Sequence, residues 1–295
     1  MSGAWARLGR DRLAALSALM LAALAAVALL APVLAALLGV DPNAVDLLER
    51  YGPPSAKHWL GTDEIGRDVL LRLILGGQVS LFVGLVAALA SAVIGTVVGL
   101  IAGYRGGALD DALMRLTDGV IALPLLPLLI VMAALDLSKL GISPEAAGSP
   151  AASFWRIVAI IALVGWTTVA RLVRGATLSV RTQDFVAVAV SQGTPPWRIM
   201  LVHILPNVAS PIVVATTLSV GNVILLESVL SFLGLGIQPP VPSWGNMLTN
   251  AQELVTTAPL LAVWPGLLIF VVVIACNLLG DALQDALDPT AKAAA

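Results

Sequence analysis

Residue types able to carry covalent or metal chemistry are few and scattered along this chain. There are two histidines, His58 and His203, and a single cysteine, Cys276, set in an apolar run. One thiol cannot form a disulfide framework or a thiolate metal cluster. Histidines so far apart show no zinc or haem ligand pattern, so no metal and no cofactor is expected. A serine nucleophile would need a base in hydrogen-bond reach. With His58 expected on the outer face of a membrane and His203 on the cytoplasmic face, an intramembrane serine protease is disfavoured. No GxxxxGK followed by Ser or Thr occurs in the 295 residues, so the phosphate-cradling loop of an ATPase is missing and any ATP must be consumed elsewhere. The ionisable group that stands out is Glu227, which ends a long uncharged run and precedes SVLSFLGLG. A carboxylate in or near hydrocarbon is costly and by default marks a pathway or a buried pair. The structural alternatives are a solvated carboxylate at the outer interface and one bonded to backbone at the break before Gly234 and Gly236.

The elements that must position such groups follow from composition. The chain is 59% hydrophobic and only 12% charged, against about 25% charged in ordinary globular proteins. Sixteen Lys+Arg and 18 Asp+Glu cannot coat a soluble protein of this size, so lipid must be much of the solvent. With a net charge of −2 there is no basic stripe for phosphates, and no nucleic-acid partner is expected. Six uncharged runs predict an all-α integral membrane protein with six spans: Leu13–Leu38, Val79–Gly103, Gly119–Leu135, Ile157–Ala170, Asn207–Leu226 and Leu254–Gly280. The first is too long for a signal-peptide core and reads as an uncleaved span. The fourth, 14 residues long, needs Trp155, Leu172 and Val173 to reach across.

Arg7, Arg10 and Arg12 precede the first run, and the segments this places inside carry ten Lys/Arg against six outside. The positive-inside rule therefore puts both termini in the cytoplasm. In the outer loop 39–78, Ile65, Val69, Leu70, Leu73 and Ile74 recur at helical spacing, predicting an amphipathic helix that lies along the membrane or against a partner subunit, or else a short helix capping the bundle.

The cytoplasmic stretch 181–207, RTQDFVAVAVSQGTPPWRIMLVHILPN, is the most informative. Gln183 to Gln192 reads as a short helix, Gly193 supplies the left-handed cap, and Pro195 with Pro196 forbid continuation. A second helix is expected near Trp197, with Pro206 opening the fifth span. Ala187, Val188, Ala189 and Val190 are expected to expose short side chains to the groove of a soluble partner; the alternative is a helix resting on lipid headgroups.

This stretch resembles the loop motif of bacterial ABC importer permeases, EAA followed by Gly and then I-x-LP, matched here by Ala187, Val188, Ala189, Gly193, Leu205 and Pro206. Two positions depart from it: Ala187 replaces the glutamate and His203 the isoleucine. HWLGTDEIGRD (58–68), GYRGGALDDALMRLTD (103–118), ARLVRG (170–175), ESVLSFLGLGIQPPVPSWGNML (227–248) and NLLGDALQDALDP (277–289) extend the likeness to the inner-membrane subunits of dipeptide, oligopeptide and nickel importers, most similar to the "C" permease of the pair. The resemblance implies a type I ABC importer permease fold with a cytoplasmic coupling helix, in a bacterial inner membrane. It divides the chain into an N-terminal tail, first span and periplasmic loop (1–78), the permease domain (79–281) and a cytoplasmic tail (282–295). The implied partners are a second permease, two ATP-binding subunits and an external solute-binding protein, in addition to the lipid bilayer. Asp184, Phe185, Ala187, Val188, Ala189, Gly193, Trp197, Leu205 and Pro206 become the ATPase-coupling loop. With Ala187 in place of glutamate, docking is expected to rest on shape more than charge. Peptides are the implied cargo, with nickel chelates or another small solute as alternatives. An ion-coupled secondary transporter is a remote rival, since only Glu227 resembles its buried carboxylates.

Ser231 to Gly236 is glycine-punctuated and is followed by Pro239, Pro240 and Pro242. Irregular backbone at membrane depth is tolerated against protein or water. Glu227, Ser231, Phe232, Gly234 and Gly236 are therefore candidates for the translocation path or outer mouth, with a plain surface loop as the alternative. Gly84, Gly95, Gly99 and Gly103 form a small-residue stripe expected to pack helices. Trp166, Trp197, Trp244 and Trp264 fit interfacial belts or packing, and Asn277 and Asp281 are expected at a helix end.

Overall fold

The computed structural model describes residues 11–135, 139, 141 and 143–287; Arg7, Arg10, Lys292 and the 288–295 part of the C-terminal tail lie outside them. Among the described residues every regular element is helical: α1 Arg12–Leu29, α2 Ala31–Leu38, α3 Val69–Arg105, α4 Gly107–Ala122, α5 Leu125–Ala133, α6 Pro150–Val180, α7 Asp184–Ser191, α8 Ala209–Phe232, α9 Ala251–Thr257 and α10 Pro259–Leu287. Five of them (α1, α3, α6, α8 and α10) are long and apolar enough to cross a membrane, and the pair α4 and α5, bent by 86°, can supply a sixth span.

Several expected runs differ in their ends. Asp11 caps α1 by accepting from the amides of Leu13 (2.9 Å) and Ala14 (3.3 Å). The first run then divides at Leu30, ahead of Pro32, so that Leu38 belongs to a separate helix. The 14-residue fourth run is only the middle of α6, which has 31 residues. Its charged residues Arg171 and Arg174 are paired with Asp118 (2.6 Å) and with Asp110 (2.5 and 2.7 Å) on α4. The helix runs on through both arginines; the Arg174 pair is partly buried against α4, while the Arg171 pair is exposed. The third run is broken at Leu123, where Pro124 cannot continue α4. The sixth divides at Ala258, an extended residue before Pro259, into α9 and α10. Because α10 runs to Leu287, Asn277 and Asp281 lie within it and are exposed, not at its end.

The expected amphipathic helix of the outer loop is not formed. Residues 61–68 are instead a polar knot, and α3 starts at Val69 and runs without interruption through residue 78 into the membrane. Asp63 accepts from the amides of Ile65 (3.0 Å) and Arg67 (2.9 Å) and from the Arg67 guanidinium (2.7 Å). Asp68 caps α3 through the Leu71 amide (2.7 Å) and bonds His58 Nδ1 (2.9 Å). Side-chain bonds to local amides compete with helix, and here they win.

The scaffold is the parallel pair α3 and α6, whose contacting residues advance together along both helices. A Cβ added at Gly95 would lie 2.6 Å from the Trp166 carbonyl oxygen, one at Gly99 2.6 Å from that of Ala170, and one at Gly103 2.7 Å from Thr177 Cβ. Bare glycine faces bring the two backbones together where lipid supplies no hydrophobic drive. Gly84 continues the stripe against Ile224 of α8, 2.5 Å from where its Cβ would be.

Candidate functional site

Three places carry the polar and exposed features that a membrane bundle does not need for packing. The first is the loop expected from the sequence to couple to a soluble partner. Gln183 precedes α7, and Gly193 has φ +74° with no atom within 4 Å of an added Cβ. That left-handed turn reverses the chain toward Pro195, and a short run of α-, π- and 3₁₀-helical turns over 196–207 leads into α8. The expected α7 is thus formed, but it is two-faced. Phe185 (42% exposed), Ala187, Val188 (52%) and Val190 (54%) face out, as does Trp197 at 59%. Ala189, expected to be exposed, is buried together with Val186. These two residues join a core with Leu100 of α3, Val169 and Val173 of α6, and Ile199, Ile204 and Val208, against which Leu205 also packs. Asp184, Gly193 and Pro206 are exposed. Ala187 borders an open groove shared with Arg105 and Arg181. Arg181 in turn closes the end of α3, donating to the Gly103 carbonyl at 2.9 Å.

The second place surrounds Glu227, whose exposure is 0%. Oε1 accepts from the Ser231 hydroxyl (2.6 Å), and Ser231 Oγ accepts from the Ile237 amide (3.0 Å). Oε2 accepts from the Ser80 hydroxyl (3.1 Å), and Ser80 Oγ accepts from the Trp244 amide (3.2 Å). Two serine relays thus connect one carboxylate to both arms of the loop after α8. The Trp244 indole adds a bond to the Leu73 carbonyl (2.9 Å) and rests on Gly77, 2.8 Å from an added Cβ. In this conformation Glu227 touches no open surface. Ser231 and Gly234 do border a cavity of about 310 Å³, together with Arg67, Arg72 and Gln238. Gly236 packs on Ser231, and Phe232 is 40% exposed.

The third place was not expected from the sequence. A cavity of about 410 Å³ lies at mid-height of α3, α6 and α8, walled by Ser91, Gly165, Thr167, Thr168, Ser219 and Asn222 among apolar side chains. The broken pair α4 and α5 closes it through Ile121, Leu123, Leu125 and Leu129. Asn222 and Thr168 are exposed near the centres of their spans.

Over residues 95–293 the chain matches the family described as binding-protein-dependent transport system inner membrane component. Residues 1–54 match the N-terminal transmembrane domain of oligopeptide transport permease C. The chain belongs to this transport family. It is 37% identical over 289 residues to the dipeptide transport system permease protein DppC of Alkalihalophilus pseudofirmus, covering 98% of this chain and 90% of that protein. The glutathione transport system permease protein GsiD of Escherichia coli O157:H7 is 42% identical over 239 residues, covering 81% of this chain and 74% of its own length. Among solved structures, the inward-facing MetNI methionine ABC transporter aligns with a TM-score of 0.55 at 16% identity, covering 73% of this chain and 97% of that one. That likeness is one of fold, and it agrees with the type I importer permease architecture expected from the motifs.

As a multi-pass inner-membrane component, the chain brings the predicted coupling residues together in one projecting unit, and it puts Glu227, Ser231 and Phe232 in the last turns of α8 with Gly234 and Gly236 in the turn beyond. The mid-height cavity joins residues from four separate segments. The only sequence signal for it is Asn222, an amide inside an uncharged run, whose placement in hydrocarbon would be costly.

Proposed function

We propose that this inner-membrane component is one of two permeases of an ATP-driven importer for short peptides. An external binding protein delivers the peptide, and two ATP-binding subunits supply the work. The complex sits in a bacterial cytoplasmic membrane with both termini of this chain inside. The dipeptide and glutathione permeases among its relatives support the cargo. The observation that carries the reading is the two-faced α7. Its exposed Phe185, Val188 and Val190, with Trp197 beyond the Gly193 turn, form an apolar knob, while Val186 and Ala189 are wedged among residues of α3 and α6. A push on the outer face reaches the span core as a rigid-body displacement. Asp184 and Ala187 flank the knob, and Leu205 and Pro206 join it to α8. Ser231 and Phe232 at the end of α8, with Gly234 and Gly236 in the turn beyond it, form the outer mouth, and Glu227 holds that mouth in shape.

The test uses the chain expressed with its second permease, ATP-binding subunits and binding protein. The ATP-binding subunits should co-purify with it, and proteoliposomes should take up alanyl-alanine in an ATP-dependent way. Gly193→Val forces a β-branched residue into a left-handed turn at a cost of about 1–3 kcal/mol. It should break the coupling of ATP hydrolysis to uptake while membrane insertion persists. Normal coupled uptake by this variant would refute the role of the turn, and a nickel chelate carried in place of the peptide would replace the cargo.

A further inference from the structure

The cavity at the break between α4 and α5 contains a feature that helix packing does not account for. Pro124 starts α5 without a side-chain cap, and among the described residues the amides of Leu125 and Leu126 donate to no acceptor. Leu123 and Leu125, on either side of the break, both wall the cavity. Unpaired amides at a helix start carry a partial positive charge and attract anions. A second, independent observation points to a ligand. Ser91, 1% exposed, has a hydroxyl without a partner, and it faces the bare side of Gly165: a Cβ there would lie 2.7 Å from Ser91 Oγ. Gly165 itself borders the cavity, and so does Asn222, whose amide bonds nothing among the described residues although it is near the centre of α8. A buried hydroxyl left unpaired, as at Ser91, costs about 1–3 kcal/mol, so a water-filled or ligand-filled site is the arrangement that satisfies it, with the exposed Asn222 amide at the same wall. Among the described residues no ionisable side chain borders the cavity, and the remaining walls, among them Ile121, Ile161 and Val223, are apolar.

We infer that this cavity is a transit site for the carboxylate end of a short peptide. The carboxylate sits at the amides of Leu125 and Leu126, Asn222 and Ser91 bond it and the adjoining peptide group, and side chains of any kind lie along the apolar wall. What peptides of differing sequence share is a terminal carboxylate and amides, and this cavity offers donors for those and fixed charge for nothing else. A broken helix whose start receives a substrate carboxylate is an economical way to bind an anion inside a membrane. The inference rests on the peptide reading above.

Two measurements on the assembled complex separate the two readings. In a Cys276→Ala background, Asn222→Cys should react with water-borne thiosulfonates. The anionic sulfonate reagent should exceed the cationic trimethylammonium reagent by about two- to five-fold, after each rate is divided by its rate with free cysteine. No labelling, or a ratio at or below one, overturns the site whatever the cargo is. In proteoliposomes, Asn222→Leu should lower alanyl-alanine uptake by about ten-fold, the cost of one hydrogen bond to a charged group, while complex assembly and ATP hydrolysis stimulated by the binding protein are retained. Unchanged uptake overturns the site. A wild-type complex that carries no peptide refutes the cargo and with it the carboxylate assignment, even where labelling shows an anion-preferring cavity.

Discussion

Replacing Glu227 tests whether one carboxylate holds the loop after α8 in place. In the native protein its two oxygens are the acceptors at the ends of two relays, Ile237 amide to Ser231 hydroxyl and Trp244 amide to Ser80 hydroxyl. Glu227→Ala removes both acceptors and leaves two buried hydroxyl donors unpaired, at about 1–3 kcal/mol each, so roughly 2–6 kcal/mol in all. Glu227→Gln keeps one carbonyl oxygen and should cost about half as much. At roughly 2–4 °C per kcal/mol for a chain of this size, the alanine variant should unfold on the order of 10 °C below the native protein. Cys276 provides the assay: it is the chain's single thiol, 3% exposed, and it packs on Gly221. A fluorogenic thiol reagent in detergent therefore reports unfolding as this residue becomes accessible. An alanine variant within about 2 °C of native, or a glutamine variant as damaged as the alanine one, would show that the relays do not support the loop.

Two further outcomes check the scaffold. Gly99→Leu drives a side chain into the Ala170 carbonyl and Val173, which cannot retreat without parting α3 from α6; it should lose at least 1–3 kcal/mol, about the overpacking range, seen as loss of the monodisperse peak in gel filtration. Asp110→Ala and Arg174→Ala, combined in a double-mutant cycle of thermal unfolding, should show a coupling of about 1 kcal/mol, because the Arg174 side chain is 33% exposed and partly screened. That coupling should shrink in high salt, and a salt-independent value would contradict the partly exposed geometry.

Much of the fold was legible because span recognition depends on local composition. Uncharged runs located the five spanning helices and the bent pair α4 and α5, and the glycine turn at Gly193 between α7 and the prolines was read correctly, since turn chemistry is settled by neighbouring residues. The errors arose where a charge or a period was taken alone. Arg171 and Arg174 looked like the end of a span, but their partners Asp118 and Asp110 belong to another helix. The apolar spacing from Ile65 suggested helix, yet Asp63 and Asp68 spend their oxygens on nearby amides and delay α3 to Val69.

The linear order of residues was enough to assign lipid as solvent and the family, both properties of contiguous segments. Which face of α7 is buried, what surrounds Glu227 and where a polar cavity opens were decided only when the chain folded. Ser80 meets Glu227 from a different span, and Ser91, Gly165 and Asn222 each come from a separate helix. Hydrogen bonds and voids between elements depend on distances that no stretch of sequence contains.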